Sequence, residues 1–189
     1  MTGRNVRVLG IDPGLTRCGV GVVDVAGDRS ARLVHVGVVR SAADARIESR
    51  LATIAAGIRE VLAAHSPDVL AVERVFAQNN RNTVMGTAQA SGIALLLAAE
   101  HGIPAATHTP TEVKAAITGY GGADKRQVQT MVARILRLDE LPKPADAADA
   151  LALALCHAWR GSVVASTAAA GVLTPAQRAW ADAERVTRR

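Results

Sequence analysis

The sequence predicts an α/β domain with a mixed β-sheet of five strands. The first observation is a series of three short apolar segments between residues 6 and 40, separated by turn signals. The second is a pair of later apolar segments, each preceded by a stretch of apolar residues at helical spacing. The resulting order βββαβαβααα predicts an antiparallel meander that continues into parallel strands through crossover helices.

The first three strands are predicted to form the meander. Residues 6–12 alternate in polarity and end at an Asp-Pro-Gly sequence, which is a strong turn signal. Residues 18–25 and 31–40 supply the second and third strands. Their connections are short, and short connections favour antiparallel pairing.

Two helices and two strands then alternate along the chain. Residues 46–65 carry apolar side chains at helical spacing, and Pro67 closes that pattern. Residues 68–74 are typical of a buried strand. A second helix is predicted at 83–101, followed by a short fifth strand at 103–108.

The rest of the predicted domain is helical. One helix begins at a cap provided by Thr109 or Thr111 and ends at the glycine-rich segment 119–122. Further helices are predicted at 124–137 and from 145 to about 159. Beyond these the helical signal weakens.

Length and composition limit the organisation of the chain. At roughly 150 residues per domain, 189 residues correspond to one domain with a short appendage. We therefore expect a domain at residues 1–160 and a C-terminal tail at 161–189, which is either flexible or a short helix. Apolar residues make up 49% of the chain, which excludes a wholly disordered protein.

The charge balance favours two classes of protein equally. The 22 Lys and Arg residues exceed the 17 Asp and Glu residues by five, and this fits a nucleic-acid-binding protein or an ordinary basic soluble protein. Aromatic residues amount to only 2%, which argues against a broad base-stacking platform. The two cysteines form neither a disulfide framework nor a zinc motif. Because no signal peptide or membrane-spanning run is apparent, we expect a cytoplasmic location.

Four acidic residues stand in apolar surroundings where an isolated carboxylate is costly. They are Asp12, Glu73, Asp146 and Asp149. Each of the first three has an ordinary explanation: Asp12 as a turn residue, Glu73 as an edge-strand residue paired with Arg74, and Asp146 as a helix cap. Asp149 lies deeper among alanines, one helical turn after Asp146, and does not fit the cap explanation.

Taken together, the four acids indicate a metal site. Carboxylates on three elements would repel one another and raise their pKa values unless a cation is present. Carboxylate oxygens suit hard cations such as Mg²⁺ or Mn²⁺. Two such ions about 4 Å apart can hold the attacking and the leaving oxygen of a phosphoryl displacement.

Several segments resemble the RuvC family of Holliday junction endodeoxyribonucleases. Leu-Gly-Ile-Asp-Pro-Gly at 9–14, Val-Glu-Arg-Val-Phe at 72–76 and Ala-Asp-Ala-Ala-Asp-Ala-Leu at 145–151 resemble its three acidic motifs. Segments around 89–93 and 125–129 resemble the intervening parts of the family. The resemblance runs in order from about residue 6 to 159, which makes the set specific although the first motif alone is weak.

The resemblance implies an RNase H-like fold, with a five-stranded mixed sheet flanked by helices. It also implies a homodimeric endonuclease that makes paired nicks in four-way DNA junctions, leaves 5′-phosphate and 3′-hydroxyl ends, and serves DNA recombination and repair. The implied cofactor is Mg²⁺, with Mn²⁺ as a substitute and two ions per active site. The implied partner complex is the RuvA–RuvB branch-migration motor.

The resemblance also assigns roles to particular residues. Asp12, Glu73, Asp146 and Asp149 would be both the catalytic residues and the metal ligands. Lys114 and Lys125 would bind phosphate or stabilise charge in the transition state, and Phe76 would contact bases near the crossover. The predicted DNA-binding set is Phe76, Arg74, Lys114, Lys125 and Arg126.

Two other functions remain open at this point. One is a catalytically silent junction-binding module, which intact carboxylates at all four positions argue against. The other is an ATP-binding protein of the actin and sugar-kinase type, for which we expect a second domain and a second phosphate loop. The apolar helix at 83–101 is a candidate dimer interface, although core packing also explains its composition.

Overall fold

The computed structural model describes residues 5–74 and 81–169, with side chains described except at 81–83 and 161–169. The chain divides into a compact unit of residues 1–158 and a second unit of residues 159–189. The strands are β1 (Val6–Asp12), β2 (Arg17–Val25), β3 (Ala31–Arg40), β4 (Val69–Glu73) and β5 (Ala105–His108). The helices are α1 (Ile47–His65), α2 (Arg81–Glu100), α3 (Pro110–Thr118), α4 (Lys125–Leu136) and α5 (Ala145–Ala169).

The five strands form one mixed sheet in the order β3-β2-β1-β4-β5. β1 pairs antiparallel with β2, and β2 with β3, so the predicted meander is confirmed. β4 pairs parallel with both β1 and β5, as the crossover helices predict. Because β4 is an internal strand, the interpretation of Glu73 as an edge-strand residue is wrong.

One face of the sheet supports the main apolar core. Leu9 and Ile11 of β1, with Leu70 and Val72 of β4, alternate towards this face and are fully buried. They form a single apolar cluster with buried side chains of α1 and α2, including Ile54, Ile58, Ala94 and Leu97. This burial fixes which side chains of β1 and β4 point to the other face.

The opposite face is a glycine-rich surface against which α5 packs backbone to backbone. A Cβ atom at Gly10 would lie 2.1 Å from the carbonyl oxygen of Ala150, and one at Gly19 would lie 2.1 Å from that of Asp146. The two glycines therefore permit a close approach that no other residue allows. Residues 150–156 of α5 are buried throughout, so the start of α5 is held tightly over β1 and β2.

Side-chain caps set where α3 and α4 begin. Thr109 accepts from the backbone N–H of Glu112, whose side chain accepts from that of Thr109, and this identifies Thr109 rather than Thr111 as the cap. Asp124 and Gln127 form the same reciprocal pair at α4. Lys125 therefore stands at the first residue of α4, at a fixed position.

α2 and α5 depart most from their predicted bounds. α2 begins at Arg81 instead of 83, and α5 continues to Ala169 although its signal weakens after Arg160. The extension is rich in Ala, Ser and Val, which are compatible with a helix but give no clear periodicity. The division into a domain and a tail after residue 160 stays a prediction, and residues 170–189 lie outside the described part. None of the described helices combines the length and the apolar character that crossing a membrane requires.

Candidate active site

Two carboxylates lie at the carboxyl ends of neighbouring strands. Asp12 ends β1 and Glu73 ends β4, and because these strands are parallel neighbours their carboxyl ends lie side by side. The first turns of α5 bring Asp146 and Asp149 to the same place. One carboxylate oxygen from each of Asp12, Asp146 and Asp149 lies within 4.8 Å of the others. The structure thus brings together residues that are more than 130 positions apart in the sequence.

Glu73 joins this group through Asp12. The two carboxyl groups lie close enough for each to shift the pKa of the other, although Glu73 does not belong to the set of oxygens within 4.8 Å. Glu73 also lines a cavity of about 230 Å³ that opens between the acids, α3 and α4. The cavity is lined by Asp12, Glu73, Pro110, Val113, Lys114, Lys125, Val128, Asp149, Ala152 and Leu153.

The acids perturb one another strongly. Burial, followed by the negative charges of Glu73 and Asp149, raises the pKa of Asp12 to about 8. Burial also raises the pKa of Glu73, while Lys125 and Lys114 act in the opposite direction by stabilising its charged form. Asp12 is therefore the acid that most resists ionisation unless a cation is close.

Two basic side chains contact the acids directly. The Nζ atom of Lys125 lies 2.6 Å from Oδ2 of Asp149, and Nε of Arg17 lies 2.6 Å from Oδ2 of Asp146. Partial burial alone would lower the pKa of Lys125, but the hydrogen bond and charge of Asp149 outweigh it and raise that pKa. Lys125 is consequently a permanent positive charge at the mouth of the cavity.

The residues present fit a hard divalent cation. Oδ2 of Asp146 is inaccessible to solvent and accepts no hydrogen bond within the described residues, although Nε of Arg17 lies 2.6 Å from it. A buried carboxylate oxygen without a donor is costly, and a cation removes that cost. Three converging carboxylates offer only oxygen ligands, which is the donor set of Mg²⁺ or Mn²⁺ and not of zinc.

The structure does not bring every predicted site residue to the cluster. Arg74 is exposed, and its guanidinium lies 3.2 Å from Oγ1 of Thr107. Arg126 is exposed and lines a separate groove with Tyr120 and Arg134. Phe76 lies outside the described residues.

Sequence reasoning missed Arg17, although a signal for it exists. Asp12 pairs with Gly19 across β1 and β2, and residues 17 and 19 share a face of β2. A basic residue two positions before the glycine that faces Asp12 is therefore placed beside the acids.

A histidine pair next to the acids was missed as well. His108 lies opposite Glu73 in the pairing of β4 with β5, and its Nε2 is 2.9 Å from Nδ1 of His157. Burial lowers the pKa of His157, which favours its neutral form. No sequence motif links two histidines that are 49 positions apart.

The raised pKa of Asp12 predicts a pH-dependent stability difference. In EDTA, we expect the Asp12→Asn variant to gain stability relative to the wild type as the pH rises from about 5 to about 9. The folded protein keeps a proton on Asp12 up to a pKa of about 8, whereas the unfolded chain loses it near the ordinary pKa of 3.8. The wild type therefore loses stability over this interval, and asparagine, which mimics the protonated acid, does not.

Urea unfolding at pH 5, 7 and 9 measures this difference. Asp44→Asn, at an exposed position outside the cluster, is the matched control and should follow the wild type at every pH. A constant difference between Asp12→Asn and the wild type would contradict the prediction.

Comparison with known proteins supports one family. The family model described as crossover junction endodeoxyribonuclease RuvC matches residues 8–157. A crossover junction endodeoxyribonuclease RuvC of Leifsonia xyli is 59% identical, and the alignment covers 97% of this chain and 94% of that protein. The protein of the same name from Thermobifida fusca is 63% identical over 83% of this chain and 86% of its own length.

Solved structures agree with these sequence matches. Thermus thermophilus RuvC in complex with a Holliday junction substrate superposes with a TM-score of 0.80 and 40% identity, over 84% of this chain and 96% of that one. The yeast mitochondrial Holliday junction resolvase Ydc2 shares the fold at a TM-score of 0.59 and 14% identity, over 86% of this chain and 83% of that one. The predicted RNase H-like fold with a five-stranded mixed sheet is confirmed. The chain belongs to the RuvC family of crossover junction endodeoxyribonucleases.

Proposed function

We propose that this protein resolves four-way DNA junctions by hydrolysing phosphodiester bonds at the carboxylate cluster, leaving 5′-phosphate and 3′-hydroxyl ends. The observation that carries the proposal is the convergence of Asp12, Asp146 and Asp149 within 4.8 Å. Nucleases of this family depend on metal ions, and the solved relative at 40% identity is bound to a Holliday junction substrate. A role in DNA recombination and repair follows from that substrate.

The four acids would hold Mg²⁺, or Mn²⁺ in its place, as two ions per active site. Bound there, such ions lower the pKa of a coordinated water and neutralise charge that develops on phosphate oxygens. Asp12 and Glu73 would contribute ligands from the sheet, while Asp146 and Asp149 would contribute them from α5. The pKa of Asp12, raised to about 8, makes this residue the acid whose ionisation depends most on a nearby cation.

The lysines of the cavity would act on the DNA backbone. Lys125 contacts Asp149 at 2.6 Å, and its side chain remains half-exposed. Lys114 lies close enough to Glu73 for its charge to oppose the rise in the pKa of that acid. Both place positive charge where a phosphodiester would enter, and electrostatic attraction of this kind makes DNA binding depend on salt. Arg74, Arg126 and Phe76 extend the proposed DNA-binding set, Phe76 by resemblance to the family and Arg126 by its place after the glycine-rich segment 119–122.

A homodimer would place two active sites on one junction. Two symmetric cuts in a four-way junction match the two-fold symmetry of a dimer. The exposed side of α2 supports this proposal, because it carries large apolar side chains that are open to solvent, with Met85 63%, Leu95 38% and Leu96 52% exposed. Within the helix proposed as the interface, Ile93 is partly buried against the core and Leu97 is buried in it, so core packing accounts for these two residues. Cooperation with a RuvA–RuvB motor and a cytoplasmic location are further parts of the proposal.

Cleavage of a junction tests the function directly. The wild type should make paired, symmetric nicks in a synthetic four-way junction in Mg²⁺ and none in EDTA. In a cruciform plasmid the product should be linear, since both strands are cut within the lifetime of one complex. Asp146→Asn should abolish cleavage while the affinity for the junction in Ca²⁺ stays within about threefold of the wild type. Asp44→Asn should behave as the wild type.

The alternatives give different results in the same assay. Junction binding without cleavage in any divalent cation would identify a silent binding module and refute the nuclease. ATP hydrolysis with no effect on junctions would identify the actin and sugar-kinase type. Nicked rather than linear plasmid would refute the homodimeric arrangement and leave the nuclease standing.

A further inference from the structure

We propose that Arg17 is a positioning residue that competes with the divalent cation for Asp146 and thereby sets the affinity of the metal site. The inference rests on the proposed function, because it concerns the same carboxylate cluster. It adds a residue of this chain that the acidic motifs do not contain.

The contact itself shows why the two cations compete. Nε of Arg17 lies 2.6 Å from Oδ2 of Asp146, which is one of the residues whose oxygens converge within 4.8 Å. The same Oδ2 atom is closed to solvent and accepts no hydrogen bond from the described residues. The guanidinium therefore supplies charge but leaves the acceptor capacity of that oxygen unused. A divalent cation provides both more charge and direct coordination of the oxygen.

The guanidinium can leave without a large cost. The side chain of Arg17 is 43% exposed, so water solvates the guanidinium as soon as it moves away from Asp146. An ion pair with so exposed a guanidinium contributes little to the stability of a fold. The pair is thus strong enough to weaken cation binding and too weak to prevent it.

Hydrogen bonds to the two residues that precede β2 fix the position of Arg17. The hydroxyl of Ser41 donates to the carbonyl oxygen of Leu15 at 2.5 Å, and the guanidinium of Arg50 donates to Oγ1 of Thr16 at 2.6 Å. The backbone N–H of Ser41 donates to the carbonyl oxygen of Thr16 at 3.2 Å. β2 therefore starts at a defined place, and its first side chain is held beside α5.

The net charge of the site predicts how a change at Arg17 alters its affinity for a divalent cation. Arg17 and Lys125 each contact one aspartate of the cluster. Removing the charge of Arg17 leaves the acids one unit more negative, which strengthens the attraction for a divalent cation. It also increases the repulsion among the acids when no cation is added. A neutral side chain at position 17 should therefore bind the cation more tightly and make the protein more dependent on it.

Binding of Mn²⁺ to the protein without DNA tests this role. Isothermal titration should show that Arg17→Gln lowers the Kd for Mn²⁺ about fivefold, and that Arg17→Lys stays within about twofold of the wild type. The rise in Tm on adding about 5 mM Mn²⁺ should be larger for Arg17→Gln than for the wild type. Arg40 is the matched control, because it lies opposite Arg17 in the pairing of β2 with β3, is exposed and contacts none of the described acids. Arg40→Gln should leave both measurements unchanged.

The outcomes separate this proposal from the proposed function. Equal Mn²⁺ affinity for Arg17→Gln and the wild type, or weaker affinity for the variant, would overturn the role of Arg17 while the metal site stands. Absence of Mn²⁺ binding by the wild type would overturn the metal site and this proposal with it. A merely structural role would lower Tm equally with and without Mn²⁺ and would leave the Kd unchanged.

Discussion

Replacing Asp12 with Asn should slow junction cleavage by at least about a thousandfold while the protein remains folded and still binds the junction. Asp12 is the acid that the sheet contributes to the group of oxygens within 4.8 Å. Asparagine keeps the size of the side chain but removes its charge and one strong cation ligand. The loss corresponds to about 4 kcal/mol of transition-state stabilisation.

The effects of Asp12→Asn on activity and on stability should have opposite signs. Burial and the charges of its neighbours raise its pKa to about 8, so the fold is more stable when this position is neutral. A residue that destabilises the fold in its charged form and is required for cleavage acts in function and not in folding. A turn residue, the simpler interpretation of an Asp before Pro-Gly, should show neither effect.

Single-turnover cleavage in Mg²⁺ and junction affinity in Ca²⁺ measure the two parts of this prediction. Asp44→Asn makes the same chemical change at an exposed position and should leave cleavage within about twofold of the wild type. Retention of more than a tenth of the wild-type rate by Asp12→Asn would remove Asp12 from the catalytic set. Loss of junction binding together with cleavage would indicate a structural defect instead.

The sequence predicted the strands better than it predicted the approach of α5 to them. The bounds of β1 and β3 agree with the alternation and turn signals that predict them, because these signals are local. Gly10 and Gly19 are also visible in the sequence, but a glycine in a strand only suggests a close approach. The partner that approaches is α5, more than 120 residues later, and no local pattern identifies it.

In the candidate site, too, some features were predictable from local sequence and others were not. The four acids were predictable, since carboxylates in apolar segments conflict with burial and therefore require an explanation. Arg17 was not predicted, because an arginine at the start of a strand is ordinary by itself. Its meaning depends on the register between β1 and β2 and on the position of Asp146 above them. A charged residue in an apolar segment can be recognised from the sequence, whereas the residue that pairs with it is known only once the fold is known.

Replacing Gly10 with Ala should lower the free energy of unfolding by about 3 kcal/mol or more, the upper end of the range for overpacked cores. The new Cβ atom would lie 2.1 Å from the carbonyl oxygen of Ala150 and 2.8 Å from the backbone nitrogen of Ala154. Both atoms belong to the backbone of α5, so no side-chain rotation can relieve the overlap. Either α5 or β1 has to move.

The displacement should reach the active site as well as the core. Asp149 is the neighbour of Ala150 on α5, and Asp12 ends the strand that contains Gly10. Moving α5 away from β1 therefore separates these two carboxylates, and Mn²⁺ binding should be lost even under conditions where the variant remains folded. Urea unfolding and Mn²⁺ titration at low temperature measure the two effects separately.

Gly27→Ala is the matched control for this prediction. A Cβ atom at Gly27 meets nothing within 4 Å, so that variant should unfold within about 1 kcal/mol of the wild type and bind Mn²⁺ normally. A Gly10→Ala variant as stable as Gly27→Ala would show that α5 can withdraw from the sheet at no cost. The close packing of α5 on the glycines of β1 and β2 would then not be what places Asp146 and Asp149 beside Asp12. If instead stability and Mn²⁺ affinity fall together, the glycines of the sheet are as necessary to the metal site as the carboxylates, since they set the distance across which those carboxylates meet.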